Sequence, residues 1–242
     1  MSATARVVTV KPTADPRILP VALAFTAGFV DTLGFVALFS FFTAHVTGNF
    51  VVLGSALTLP LHGLIAKALA LPIFIIAVAA VRLYGRSLDR RNVAVAPRLL
   101  AMEAIFLAIF ATLGQLATPI VDGDAPMAIV TALSGVIAMG IQNAASRTVF
   151  ASLSPTTVMT GNVTQLVIDT VDLVAGVPAG DGPALRARIT RFWPPVVAFA
   201  AGAAGGALGY KSGGFLSLLL PTGIVLALAI PRLSEKPAHT KV

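Results

Sequence analysis

The chain has 242 residues, of which 57% are hydrophobic and 11% charged, with a mean hydropathy of +0.91 and a net charge of +7. A soluble domain carries about 25% charged residues to cover its surface, so a water-facing surface is excluded and the chain must face lipid. The basic excess then reads as loop arginines of a membrane protein rather than a nucleic-acid footprint. There is no cysteine for disulfides or thiolate metal sites.

The N-terminal tail, 1–17, is polar, carries Arg6, Lys11 and Arg17, and is expected to be mobile. The first apolar stretch, 18–40, is too long for a cleavable signal and contains Asp31. The second, 43–58, holds Thr47-Gly48-Asn49, and its apolar part stops before Pro60, too short to span. Stretches at 63–84, 99–117 and 126–148 read as ordinary spans, and Glu103 and Gln115, near the two ends of the fourth, are expected to be interfacial. The sixth, 155–174, repeats Thr160-Gly161-Asn162 and carries Asp169 and Asp172 in its second half. Residues 175–191, rich in glycine and proline, read as the longest internal loop. Trp193-Pro194-Pro195 marks a helix start. Stretches at 193–210 and 214–231 complete the set, before a polar tail from 232 to 242.

The two Thr-Gly-Asn tripeptides head a longer correspondence. Gly28-Phe29-Val30-Asp31 aligns with Gly140-Ile141-Gln142-Asn143, and Leu83-Tyr84-Gly85-Arg86-Ser87 resembles Leu208-Gly209-Tyr210-Lys211-Ser212. The chain therefore divides into a first membrane repeat, 18–117, a connection, 118–125, and a second repeat, 126–231. Charge placement orients them. Basic residues crowd the N-terminal tail, the connection holding Arg82, Arg86, Arg90, Arg91 and Arg98, the segment holding Arg186, Arg188 and Arg191, and the C-terminal tail. The 118–125 connection has only Asp122 and Asp124. Placing every basic region in the cytoplasm requires six crossings, with the second and sixth stretches broken or re-entrant. The predicted fold is an all-α polytopic bundle with a 3+3 inverted repeat and both termini cytoplasmic. Lys211 alone resists this scheme.

Non-helical backbone at membrane depth needs protein or a watery cavity around it. Thr47, Gly48 and Asn49, with Thr160, Gly161 and Asn162, suit such breaks, since glycine permits unusual dihedrals and Thr or Asn can cap the next helix. Two helix N-termini entering from opposite faces would form one polar centre able to take a small solute, an anionic one included. The alternative is that both motifs only cap and pack broken helices. Asp31, costly in the membrane unless partnered, is either a relay or ligand, or a structural carboxylate bound to the loop through His45. His45 can titrate near neutral pH or be structural. Gln142 and Asn143 can donate and accept within a polar core, and Arg147 either snorkels, binds an anion or partners Asp31. Ala198, Gly202 and Gly206 form a small-residue ladder that either packs the halves together or makes a homodimer seam.

Neither a phosphate-cradling loop nor a catalytic constellation is present, so neither an ATP-driven pump nor an enzyme is expected, and no cofactor. Gly28 to Asp31 leading to His45 through Asn49, and Gly140 to Asn143 leading to Thr156 through Asn162, resemble the YoaK-like family. The resemblance covers about 18 to 231 and implies a multi-pass protein of the bacterial cytoplasmic membrane, in a family classed as a domain of unknown function. The expected role is a transporter or channel, with the lipid bilayer and a small-molecule or ion substrate as partners; the alternative is a membrane scaffold or interaction protein.

Overall fold

The computed structural model describes residues 18–176 and 181–233. The remaining residues, and with them the expectation of mobile tails, lie outside the described set. Among the described residues the secondary structure is helical: α1 (Ile18–Ala37), α2 (Gly48–Ser55), α3 (Leu64–Arg90), α4 (Ala96–Ala117), α5 (Pro126–Arg147), α6 (Met159–Ala175), α7 (Gly182–Gly213) and α8 (Leu219–Ala229). Short 3₁₀ turns flank α8. Proline at the first turn opens α4, α5 and α7, where its missing N–H costs no bond.

Among the described residues five stretches are long and apolar enough to cross a membrane: α1, α3, α4, α5 and the 51-residue Gly182–Arg232. The last turns at Gly214, whose φ of 58° lies in the left-handed region, and Ser217 comes to lie against Gly209. The other two helices are too short or too polar. α2 has eight residues and α6 seventeen, with Asp169 and Asp172 in its last two turns.

The closest packing is between backbones. A Cβ at Gly28 would meet the carbonyl of Phe199, one at Gly202 the carbonyl of Phe25, and one at Gly206 the carbonyl of Phe29. These clashes are with main chain, which cannot swing aside. The ladder on α7 is therefore an intramolecular seam with α1, where small residues allow close approach. α5 packs on α3 in the corresponding way, with Gly140 against Ala77 and Phe74. Phe199 stands to Phe74 as Leu208 stands to Leu83. α2 packs on α3 as α6 does on α7, and α4 on α5 as α8 does on α1.

Two expectations are corrected. The 175–191 segment is mostly helix, because α7 begins at Gly182. Ala184 to Arg188 are good helix formers, and Arg188 reaches back to Asp169 on α6 through paired bonds of 2.9 and 2.8 Å. Consequently Trp193-Pro194-Pro195 lies inside α7 rather than at its start. The helix already carries two preceding turns held against α6, so the prolines interrupt hydrogen bonding without ending it.

Candidate functional site

The chain leaves α1 at Ala37 and turns back along it. Phe39 and Ser40 hold positive φ values of 54° and 62°, a strain of about 1 kcal/mol or more each that surrounding contacts must offset. Those contacts come from Asp31, which is 5% exposed. Its Oδ1 accepts from the backbone N–H of Thr43 at 2.8 Å and of Ala44 at 2.7 Å, with the Thr43 hydroxyl at 3.3 Å and the His45 N–H at 3.4 Å. Its Oδ2 lies 2.7 Å from His45 Nδ1. The loop has thus returned to a level six residues, about 9 Å, short of the end of α1. The Thr43 methyl reaches Gly34 and Gly135, and the His45 ring stands edge-on to Phe199 of α7.

Asn49 completes this loop. Its Oδ1 accepts from Phe42 N–H and its Nδ2 donates to Phe42 C=O, both at 2.9 Å. The expected side-chain cap is absent: neither Thr47 nor Asn49 caps α2. Gly48 is required by space, since a Cβ there would lie 2.9 Å from the Phe42 ring. The first amides of α2 are already spent: Gly48, Asn49 and Phe50 donate to the carbonyls of His45, Val46 and Thr47.

The second loop follows the same plan with weaker groups. Gln142 Nε2 donates to Thr156 Oγ1 at 3.0 Å, and also to the Leu23 carbonyl of α1 at 2.9 Å. The chain has again come back along the preceding helix, five residues short of its end at Arg147. Asn162 Nδ2 donates to Pro155 C=O at 2.7 Å, but proline offers no N–H for the reciprocal bond. Gly161 has open space around it. Arg191 of α7 ties this loop through the Ser152 carbonyl.

The candidate residues therefore form two groups rather than one centre. Asp31, His45, Gly48 and Asn49 belong to the first loop; Gln142 and Asn162 belong to the second. Leu23 and Asp31, which mark their levels on α1, are eight residues or about 12 Å apart. Thr47, Thr160 and Gly161 face outward, and Asn143 is half-buried without a hydrogen bond among the described residues. Arg147 is exposed at the end of α5, so it is not the partner of Asp31.

Between the two levels are polar atoms that no described group satisfies: Thr26 Oγ1 on α1 and Gln142 Oε1 on α5, with Thr131 Oγ1 further along α5. Glu103 on α4 is fully buried, and both its carboxyl oxygens lack a partner. This corrects the interfacial expectation. α4 turns that position inward, among Leu99, Leu100, Ala104 and Leu107, all buried. Lys67 was also missed. It is 1% exposed and its Nζ donates to the carbonyls of His62 at 2.7 Å and Gly63 at 3.2 Å, at the start of α3. A lone lysine inside an apolar stretch was the available signal. Beside it, Asp124 accepts from the N–H groups of Gly63 and Ile65, anchoring the 118–125 connection to α3.

Several apolar helices, buried polar loops that fold back along them and a lipid-facing exterior define a polytopic α-helical membrane protein. Residues 19–231 match the family described as "Protein of unknown function (DUF1275)", and the chain belongs to that family. It is also 31% identical over 149 residues to the UPF0700 transmembrane protein YoaK of Bacillus subtilis (strain 168), covering 61% of this chain and 64% of that relative. The match thus spans somewhat less than two thirds of the relative's length. No solved structure matches significantly.

Proposed function

We propose that this protein transports or conducts a small polar solute along the α1–α5 contact, between the two Thr-Gly-Asn loops. The observation that carries the reading is the pair of loops. Each folds back along its preceding helix to a buried polar anchor, and Thr26 Oγ1 and Gln142 Oε1 stand unsatisfied at the levels they bracket. Buried polar atoms without partners are costly, and a passing solute or water would supply the missing bonds.

The swapped packing of α1 on α7 and α5 on α3 supports a 3+3 inverted repeat, an arrangement recurrent in transporters. In that reading α7 and α8 cross separately, giving six crossings, and the arginine-rich segments put both termini in the cytoplasm of a bacterial inner membrane. The solute is neutral or cationic. Two carboxyls, Asp31 and Glu103, lie at this depth, the amides opening α2 are occupied, and Arg147 is remote. A scaffold role is the second reading, favoured by the near-complete internal satisfaction of Asp31.

Reconstituted protein should pass neutral or cationic solutes into liposomes. Thr26→Val and Gln142→Leu should each cut flux at least about tenfold, the loss of roughly 1.4 kcal/mol of binding, while the protein stays monodisperse. Flux absent for every solute class, or unchanged in both variants, favours the scaffold. Orientation is checked separately: a cysteine replacing Arg90 should label from the cytoplasmic side only.

A further inference from the structure

Glu103 carries an inference that does not depend on flux. Its carboxyl is completely buried in the middle third of α4, and neither oxygen has a described donor. An ionised carboxylate in such a place would lose its hydration with nothing in return, which costs several kcal/mol or more.

Among the described residues no basic group pairs with it. α4 packs on α5, on α8 and on the 3₁₀ turns flanking α8. α8 and the turn Gly214–Leu218 contain no titratable group. α5 contains only Arg147, exposed at its C-terminal end five residues beyond Gln142, and the turn Ile230–Arg232 contains only Arg232, buried, whose Nη1 donates to the Leu228 carbonyl. On α4 itself Arg98 donates to the Ala94 carbonyl.

The register of α4 on α5 puts one unpaired polar group at the level of Glu103. The Phe110 ring lies against Gly135, 3.1 Å from where a Cβ would sit. α4 and α5 form an antiparallel pair across the short 118–125 connection. Two turns along it from that contact, Glu103 comes level with Gln142, whose Oε1 is likewise unpaired. A neutral carboxyl has one O–H to give, and a carboxamide oxygen is its natural acceptor. A bare carboxylate facing the same oxygen would only be repelled.

We propose that Glu103 is an intramembrane proton-binding site: its carboxyl carries an exchangeable proton at neutral pH, and Gln142 is the acceptor that positions it. The balance is simple, one proton bound from water and one released, with no bond to carbon changed.

The chain contains only two glutamates, Glu103 and Glu235, which makes a direct test practical. Full-length protein carrying Glu235→Gln, grown with carboxyl-¹³C glutamate and placed in lipid nanodiscs, reports Glu103 alone by infrared difference spectroscopy and ¹³C NMR. The expected result is a neutral-acid signal at pH 7 that shifts in D₂O and converts reversibly to carboxylate as the pH is raised. Gln142→Leu, which removes the acceptor, should move the frequency of the band.

A carboxylate signal at pH 7 overturns the proposal. So does a neutral signal that neither exchanges in D₂O nor titrates, which would mark a sealed structural acid. Conversion to carboxylate by Na⁺ or K⁺ at fixed pH would make the site a metal-cation site and also overturns it. Because the wild-type Glu103 signal is itself the readout, the outcome does not rest on a Glu103 variant folding. Since no solute is involved, a failure here leaves the flux test of the proposed function separate.

Discussion

The two Thr-Gly-Asn loops share a path but differ in how firmly they are held. In the first, a carboxylate on α1 gathers two strong backbone bonds, a hydroxyl and an imidazole, and Asn49 closes a double bond with Phe42. In the second, Gln142 supplies one hydrogen bond to the loop and Asn162 one to Pro155, while the one charged donor, Arg191, comes from α7 to the exposed Ser152 carbonyl. Charge-assisted bonds are about twice as strong as neutral ones, and only the first loop has them at its buried anchor on the preceding helix, so it is the more firmly held of the two. The difference is itself informative. Where all bonds are made, a group is locked; where Gln142 keeps a free oxygen and Glu103 two, something remains to be bound.

The largest break in this comparison is Asp31→Ala. It strands the buried N–H groups of Thr43 and Ala44, at about 1–3 kcal/mol each, and removes the contacts that offset the strain at Phe39 and Ser40. We expect loss of monodisperse protein on gel filtration, whereas Gln142→Ala should remain folded with a modestly lowered melting temperature. An Asp31→Ala protein as stable as the Gln142→Ala one would show that the first loop is not anchored there.

Next in size is the asparagine pair. Asn49→Ala removes two strong bonds and should destabilise by about 1–3 kcal/mol, while Asn162→Ala removes one strong bond, to Pro155, and a weak one to the Met159 sulfur, and should cost about 1 kcal/mol. Thermal melting in detergent decides the order, and equal shifts would contradict it. The smallest contrast reverses sign. Gly48→Ala drives a methyl towards the Phe42 ring and should cost about 1 kcal/mol. Gly161→Ala meets open space on a helix and should be neutral or gain several tenths of a kcal/mol.

Much of this plan could be read from residues. Hydropathy located the helices closely, and the repeated tripeptide found both loops, because polar Thr and Asn flanking a glycine are scarce enough in apolar sequence to stand out. Asp31 with His45 was legible for the same reason. What escaped was orientation. Glu103 lies five residues from Arg98 in sequence, and only the packing of α4 shows that it points inward. The roles of Thr47 and Asn49 were likewise hidden, since a cap and a backward bond to Phe42 demand the same residue type. The extended α6–α7 pair was masked by the glycines and prolines of the 175–191 sequence, although α7 already begins at Gly182.

The seam between α1 and α7 has a consequence for how the chain is made. Gly28 finds its backbone neighbour in Phe199, and α3 packs on α5. At ordinary rates of synthesis, α1 emerges on the order of ten seconds before α7 exists. During that interval Asp31 has its own loop for company but α1 has no seam to close. Each half is thus born unfinished and completed by the other, so separately expressed halves should be degraded alone and recovered together.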